Sequence, residues 1–176
     1  LADPVLPDGV VELLKKNLKV RSLRGTDFDL VQRSSSGGYT RGKGAQAVVN
    51  MLNREGRGGL VVFDPLRNMM QGEETGESLS ALIRVLNWIV KHTDAPVTPF
   101  ISHHTAQASM QSKDMTEAAF RGASDLKDGL RWTMVVQRVT DNQAEKLGFD
   151  DCSDLRQISM PKVNYGKSIS GGIFVQ

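Results

Sequence analysis

A single cysteine in 176 residues excludes an internal disulfide framework and gives a zinc cluster no cysteine partners, so Cys152 suits a reducing, cytoplasmic setting. No stretch approaches the roughly 18 apolar residues of a membrane span. A net charge of +2, from 22 Lys and Arg against 20 Asp and Glu, is too small to announce nucleic-acid binding by itself. Any contact with DNA must therefore come from local patches. The opening Leu1-Ala2-Asp3-Pro4 has neither a signal-peptide pattern nor an initiator methionine, and reads as the start of a piece cut from something longer. Internal repeats and low-complexity segments are absent. What remains, 39% apolar and 24% charged residues, suits one compact domain with a real core.

Residues 1–44 are poorly patterned. Val10, Val11, Leu14 and Leu18 fit one short helix, and Val20 to Leu23 and Phe28 to Val31 fit strands. Ser34 to Gly38 is a flexible loop signal. Ala45, Val48, Val49 and Leu52 then repeat at helical spacing, closed by Gly56, Gly58 and Gly59. Leu60, Val61, Val62 and Phe63 form a continuous apolar run of the kind expected for a strand covered on both faces, and Asp64 ends it. A polar loop leads to Ser78, a plausible cap for the clearest helix, which carries Leu79, Leu82, Ile83, Leu86 and Ile89. Val97 to Ile101 reads as a further strand, made irregular by Pro99 and ending in Ser102-His103-His104-Thr105. A short helix near Gly122 to Leu130, a strand from Trp132 to Val139, a capped helix from Asp141 to Gly148, and closing strands over Leu155 to Tyr165 and Ile173 to Val175 complete the chain.

Strand, helix and strand with long connections imply a parallel crossover, hence an α/β sheet. Ligands in such sheets bind beyond the carboxyl ends of the strands, where Asp64 and the His103-His104 pair fall. An apolar run ending in aspartate is the pattern of a Walker B strand, whose carboxylate holds Mg²⁺ against nucleotide phosphates; it is equally the pattern of an acidic cap on a buried strand. The histidines fit hydrogen-bonding or core roles better than a metal, because neighbours on an extended chain point to opposite faces and no third ligand cluster is near. Arg121, Arg131, Lys162 and Lys167, taken singly, suit solvated surface.

Taken in order, Leu60-Val61-Val62-Phe63-Asp64-Pro65-Leu66-Arg67, Ser102-His103-His104-Thr105, Arg121-Gly122-Ala123-Ser124, Asp128-Gly129-Leu130-Arg131-Trp132 and Lys162-Val163-Asn164-Tyr165-Gly166 resemble the RepA-type hexameric helicases of mobilisable plasmids. The resemblance runs from about Ala45 to the carboxyl end. It implies that residues 1–176 are the carboxy-terminal part of one RecA-like ATPase domain: a mainly parallel sheet flanked by helices, with an antiparallel carboxy-terminal hairpin and an incomplete core. Asp64 matches the Walker B aspartate and Mg²⁺ ligand, and His104 the histidine that senses the γ-phosphate. Arg131 matches the finger that reaches ATP on the neighbouring subunit, with Lys162 a basic position near that interface. The polar loop from Ala106 to Thr116, with Gln107, Gln111 and Lys113, is then the contact with single-stranded DNA.

Two departures stand against the pattern. No Gly-x-x-x-x-Gly-Lys-Ser/Thr occurs in the 176 residues, so ATP has no phosphate cradle here. The water-activating glutamate that follows that loop is also missing, and Glu73 and Glu74 come on the wrong side of the Walker B strand to inherit its role. The chain by itself is therefore expected to be inactive and, with sheet neighbours missing, to self-associate or swap elements. The leading expectation is a hexameric motor of plasmid- or phage-type replication. A RecA-like recombination ATPase and a degenerate module that only binds DNA or a partner are the alternatives.

Overall fold

The computed structural model describes Pro7, residues 9–104 and 129–167, and residues 169–175, with backbone alone from 170 onward. The elements run α1 (Val10–Asn17), β1 (Val31–Arg33), β2 (Tyr39–Arg41), α2 (Lys43–Glu55), β3 (Gly59–Phe63), a 3-10 turn (Leu66–Met69), α3 (Gly76–His92), β4 (Val97–Ile101), β5 (Trp132–Arg138), α4 (Asp141–Lys146), β6 (Arg156–Val163) and β7 (Ile169–Val175). The class is mixed α/β, built from small sheets. β1 and β2 form an antiparallel hairpin, β3 and β4 a parallel pair, and β5-β6-β7 an antiparallel meander. No helix among the described residues is long and apolar enough to cross a membrane.

The main core forms where the helical apolar stripes predict. Ala45, Val48 and Val49 of α2 meet Leu79, Leu82, Val85, Leu86 and Ile89 of α3, joined by Leu30, Val31, Phe63, Leu66, Met69 and Met70. The amino end of α2 approaches the chain closely: a Cβ on Gly42 or Gly44 would fall 2.2 or 2.6 Å from the Asp29 carbonyl oxygen, so only glycine fits there. Gly56 closes the helix at a positive φ of 62°. α1 buries nothing, and its apolar residues Leu13 and Leu14 stay exposed.

Four expectations need correction. Residues 20–23 form no strand, and Val20 is 83% exposed, because no strand among the described residues pairs with it. The strand expected over Phe28 to Val31 begins only at Val31 and pairs with Tyr39–Arg41 across the Ser34–Gly38 turn, where Gly37 and Gly38 take positive φ. The cap of α3 is Thr75, whose Oγ1 accepts from the Ser78 N–H at 3.3 Å; Ser78 is the reciprocal residue of that capping box. Among the described residues, β3 is covered on one face only: Phe63 is buried, whereas Leu60 and Val62 are 64% and 54% exposed.

Candidate functional site

β3 and β4 run in parallel and in step, Phe63 beside Ile101, so both chains leave the sheet at the same end. Ser102 N–H donates to Phe63 O at 2.9 Å, and Leu66 N–H donates to Ser102 O at 2.8 Å. These bonds stitch the two exits together and put Asp64 beside Ser102 and His103. Asp64 itself is exposed, and among the described residues no hydrogen bond or ion pair engages its carboxylate. It is free to act on a solute.

The adjacent histidines behave as neighbours on an extended chain should. His103 is partly buried, its Nε2 2.8 Å from Glu74 Oε2, while His104 is exposed. Glu74 is the functional-looking residue that sequence order set aside. Twenty-nine positions before His103, it returns to the carboxyl end of β4 because the loop from Gln71 to Thr75 is pinned on several sides. Gln71 N–H donates to Val31 O, Arg67 donates to Gly72 O, and Ser78 Oγ donates to Glu73 O at 3.0 Å. No local sequence signal marks this pairing.

Arg131 is exposed at the entrance to β5. Its neighbours anchor it: Leu130 packs on the main core, a Cβ on Gly129 would strike Ile83 of α3, and the Trp132 ring lies 6.3 Å from that of Phe100 on β4. Arg131 O accepts from Asn164 N–H at 3.1 Å, and Lys162 stands opposite Thr133 on β6. Arg131 and Lys162 thus share one end of the β5–β6 pair. Lys162 is partly buried and already engaged within the fold. No hydrogen bond or ion pair joins Arg131 to Asp64. Gln107, Gln111 and Lys113, with the Arg121–Ser124 string and most of the helix expected near Gly122, lie outside the described residues.

Mg²⁺ binds through one or two carboxylates and otherwise through water and phosphate oxygens. Asp64 fits such a role as a single unengaged carboxylate. Among the described residues, no group of three or more His, Cys, Asp and Glu forms a metal cage. The 176-residue sequence contains no Gly-x-x-x-x-Gly-Lys-Ser/Thr loop to cradle nucleotide phosphates. Away from this edge, a hollow of about 310 Å³ is lined by Asp141, Glu145, Asp150 and Cys152. The Cys152 thiol donates to Asp141 Oδ1 at 3.0 Å, and that bond pushes its pKa up. The Ser153 N–H and hydroxyl, both at 2.9 Å, hold the Asp151 carboxyl below its usual range. No protein-family model matches the chain, so the roles of these residues are argued from their placement and chemistry.

Proposed function

We propose that the chain forms the Walker B, sensor and arginine-finger part of a RecA-like, ring-forming ATPase that moves along single-stranded DNA. The observation that carries this is the shared exit of β3 and β4, which sets an unengaged Asp64 beside the His103-His104 pair at the carboxyl ends of two parallel strands. In this role Asp64 holds Mg²⁺, whose bound form neutralises charge on the transferring phosphate. His104, exposed beyond the paired His103, is placed to feel the occupant of the same edge. His103 is held by Glu74 and fixes the backbone from which His104 projects. Arg131 projects from a docked strand entrance and serves the site of the next subunit, as a ring with heterologous contacts permits.

A phosphate-binding loop outside these 176 residues is required, so the chain alone is expected to show no Mg·ATP turnover. In a protein where these residues follow such a loop, Asp64→Asn is expected to lower turnover by about two orders of magnitude without altering the thermal midpoint. Arg131→Ala is expected to be inactive alone and to regain activity when mixed with Asp64→Asn subunits. Undiminished turnover in Asp64→Asn would overturn the assignment. The absence of the phosphate loop and of the water-activating glutamate favours a second reading, a non-catalytic module that binds DNA or a partner. Absence of turnover with the loop supplied, alongside retained DNA binding, selects that module.

A further inference from the structure

On α3, Arg84, Trp88 and His92 fall four residues apart on one side of the helix, Arg84 and His92 exposed and Trp88 half-buried against the main core. The hairpin strand β2 lies against it. Arg41 places its guanidinium carbon 3.7 Å over the Trp88 ring, and His92 stacks on the same ring at 4.3 Å with its Nδ1 2.8 Å from Trp88 O. Between β2 and α3 opens a cavity of about 200 Å³ lined by Tyr39, Thr40, Arg41, Arg84, Val85 and Trp88. That volume equals about seven water molecules.

Two features of this cavity point to an anion. Among the described residues, the guanidinium groups of Arg41 and Arg84 have no carboxylate within salt-bridge distance. Stacking on Trp88 orders the Arg41 guanidinium while leaving its in-plane N–H donors free, the arrangement that suits phosphate oxygens. Arg33, opposite Tyr39 in the register, extends the positive strip along the hairpin.

We infer that the cavity between β2 and α3 binds the phosphodiester backbone of single-stranded nucleic acid, through Arg41 and Arg84, with Tyr39 and Trp88 as its aromatic wall. Ordered cations beside aromatic rings, uncompensated by acids, are how proteins track a single strand without reading its sequence. The site is separate from the Asp64 edge and needs no nucleotide. It rests on the proposed function for the identity of its partner, single-stranded DNA, but not on hydrolysis, and the test below separates the two.

The test uses the 176-residue chain without ATP. A fluorescein-labelled oligo-dT of about 15 nucleotides is titrated by anisotropy over a salt series, against the chain and against Arg41→Gln/Arg84→Gln and Arg41→Lys/Arg84→Lys. Loss of the two phosphate contacts is expected to weaken binding at low salt by about tenfold or more and to flatten the log–log salt slope by about 1.4. The lysine pair is expected to keep the slope, since charge is retained. In a Trp132→Phe background Trp88 is the one remaining tryptophan, and its emission is expected to change as oligo-dT is added. An unchanged salt slope in the glutamine pair would overturn the site. A Trp88 response to inorganic phosphate or Mg·ATP without one to oligo-dT would make it a small-phosphate pocket. Equal binding of poly-glutamate would make it a surface for acidic peptides. Either of the last two results refutes the nucleic-acid assignment.

Discussion

Ser78→Ala is the perturbation that links the stability of the fold most directly to the candidate site. Ser78 has no exposed surface. Its Oγ accepts from Thr75 N–H at 2.8 Å and shares its proton between Thr75 O at 2.9 Å and Glu73 O at 3.0 Å, so one hydroxyl closes the capping box of α3 and pins the loop that carries Glu74. Removal costs both bonds, though not equally. Thr75 N–H keeps a second acceptor in Glu73 O at 3.1 Å, whereas Glu73 O loses its best donor and retains only the long 3.5 Å bond from the Tyr39 hydroxyl besides that amide. A full cap bond of about 1 kcal/mol and a half-compensated one sum to about 1.5 kcal/mol. For a chain of this size, the thermal midpoint is expected to fall by about 3–6 °C. Urea denaturation measures the free energy, and the imidazole NMR signals of His103 report whether its bond to Glu74 loosens with the loop. Ser80→Ala, on the same helix but outside the box, is the control and is expected to change stability by less than about 0.5 kcal/mol. A Ser78→Ala penalty no larger than the control, or an unmoved His103, would refute the capping argument and the coupling of the loop to the site.

Two other predictions follow from groups that the proposed function does not use. Thr133 Oγ1 is buried without a hydrogen-bond partner, so Thr133→Val, which keeps the β-branched shape, is expected to stabilise the chain by about 1 kcal/mol in urea denaturation. The raised Cys152 pKa comes first from its bond to Asp141, so Asp141→Asn is expected to lower it and to speed reaction with a disulfide reagent at pH 8 severalfold. An unchanged rate would mean that Asp141 does not hold the thiol proton.

The elements that could be read from sequence are those long enough to show a period. α2 and α3 offer several apolar positions each, and Gly56 and the Lys91-His92 pair mark their ends. β3 and β4 stood out as apolar runs cut by glycine and proline. β1 and β2, three residues each, are too short for any alternation to register, and their pairing is decided by the glycine turn between them. Thr75 and Ser78 can both cap a helix. Packing of the loop chooses between them, and sequence carries no trace of that choice. The site divides in the same way. Asp64 and the histidines are legible because strand order alone places strand ends together. The Glu74–His103 bond and the Arg41–Trp88 stack are not, since each joins residues far apart in the chain whose side chains meet only after α3 has docked.

The open face of β3 has a consequence for how the site can move. Parallel strands are ordinarily covered on both sides, and Leu60-Val61-Val62-Phe63 is apolar throughout, as such burial requires. Inside the described residues, α3 and its core cover the Phe63 side; on the other side the register aligns Leu60 and Val62 with Thr98 and Phe100, and only Phe100 meets a neighbouring ring, that of Trp132. The two halves of the candidate site are therefore held unequally. His103 is tied by a hydrogen bond to a loop fastened to α3, so it is held to the core. The Arg131 backbone is positioned by the packing of Gly129 and Leu130, the tilted Trp132–Phe100 contact and the bond its carbonyl accepts from Asn164 N–H, whereas no hydrogen bond or ion pair among the described residues holds its side chain. On the motor reading this asymmetry has the right sense. A residue that senses the nucleotide needs a fixed frame, whereas an arginine that serves a neighbouring subunit must be able to advance and withdraw as the ring cycles, and the Arg131 side chain is the one left unheld.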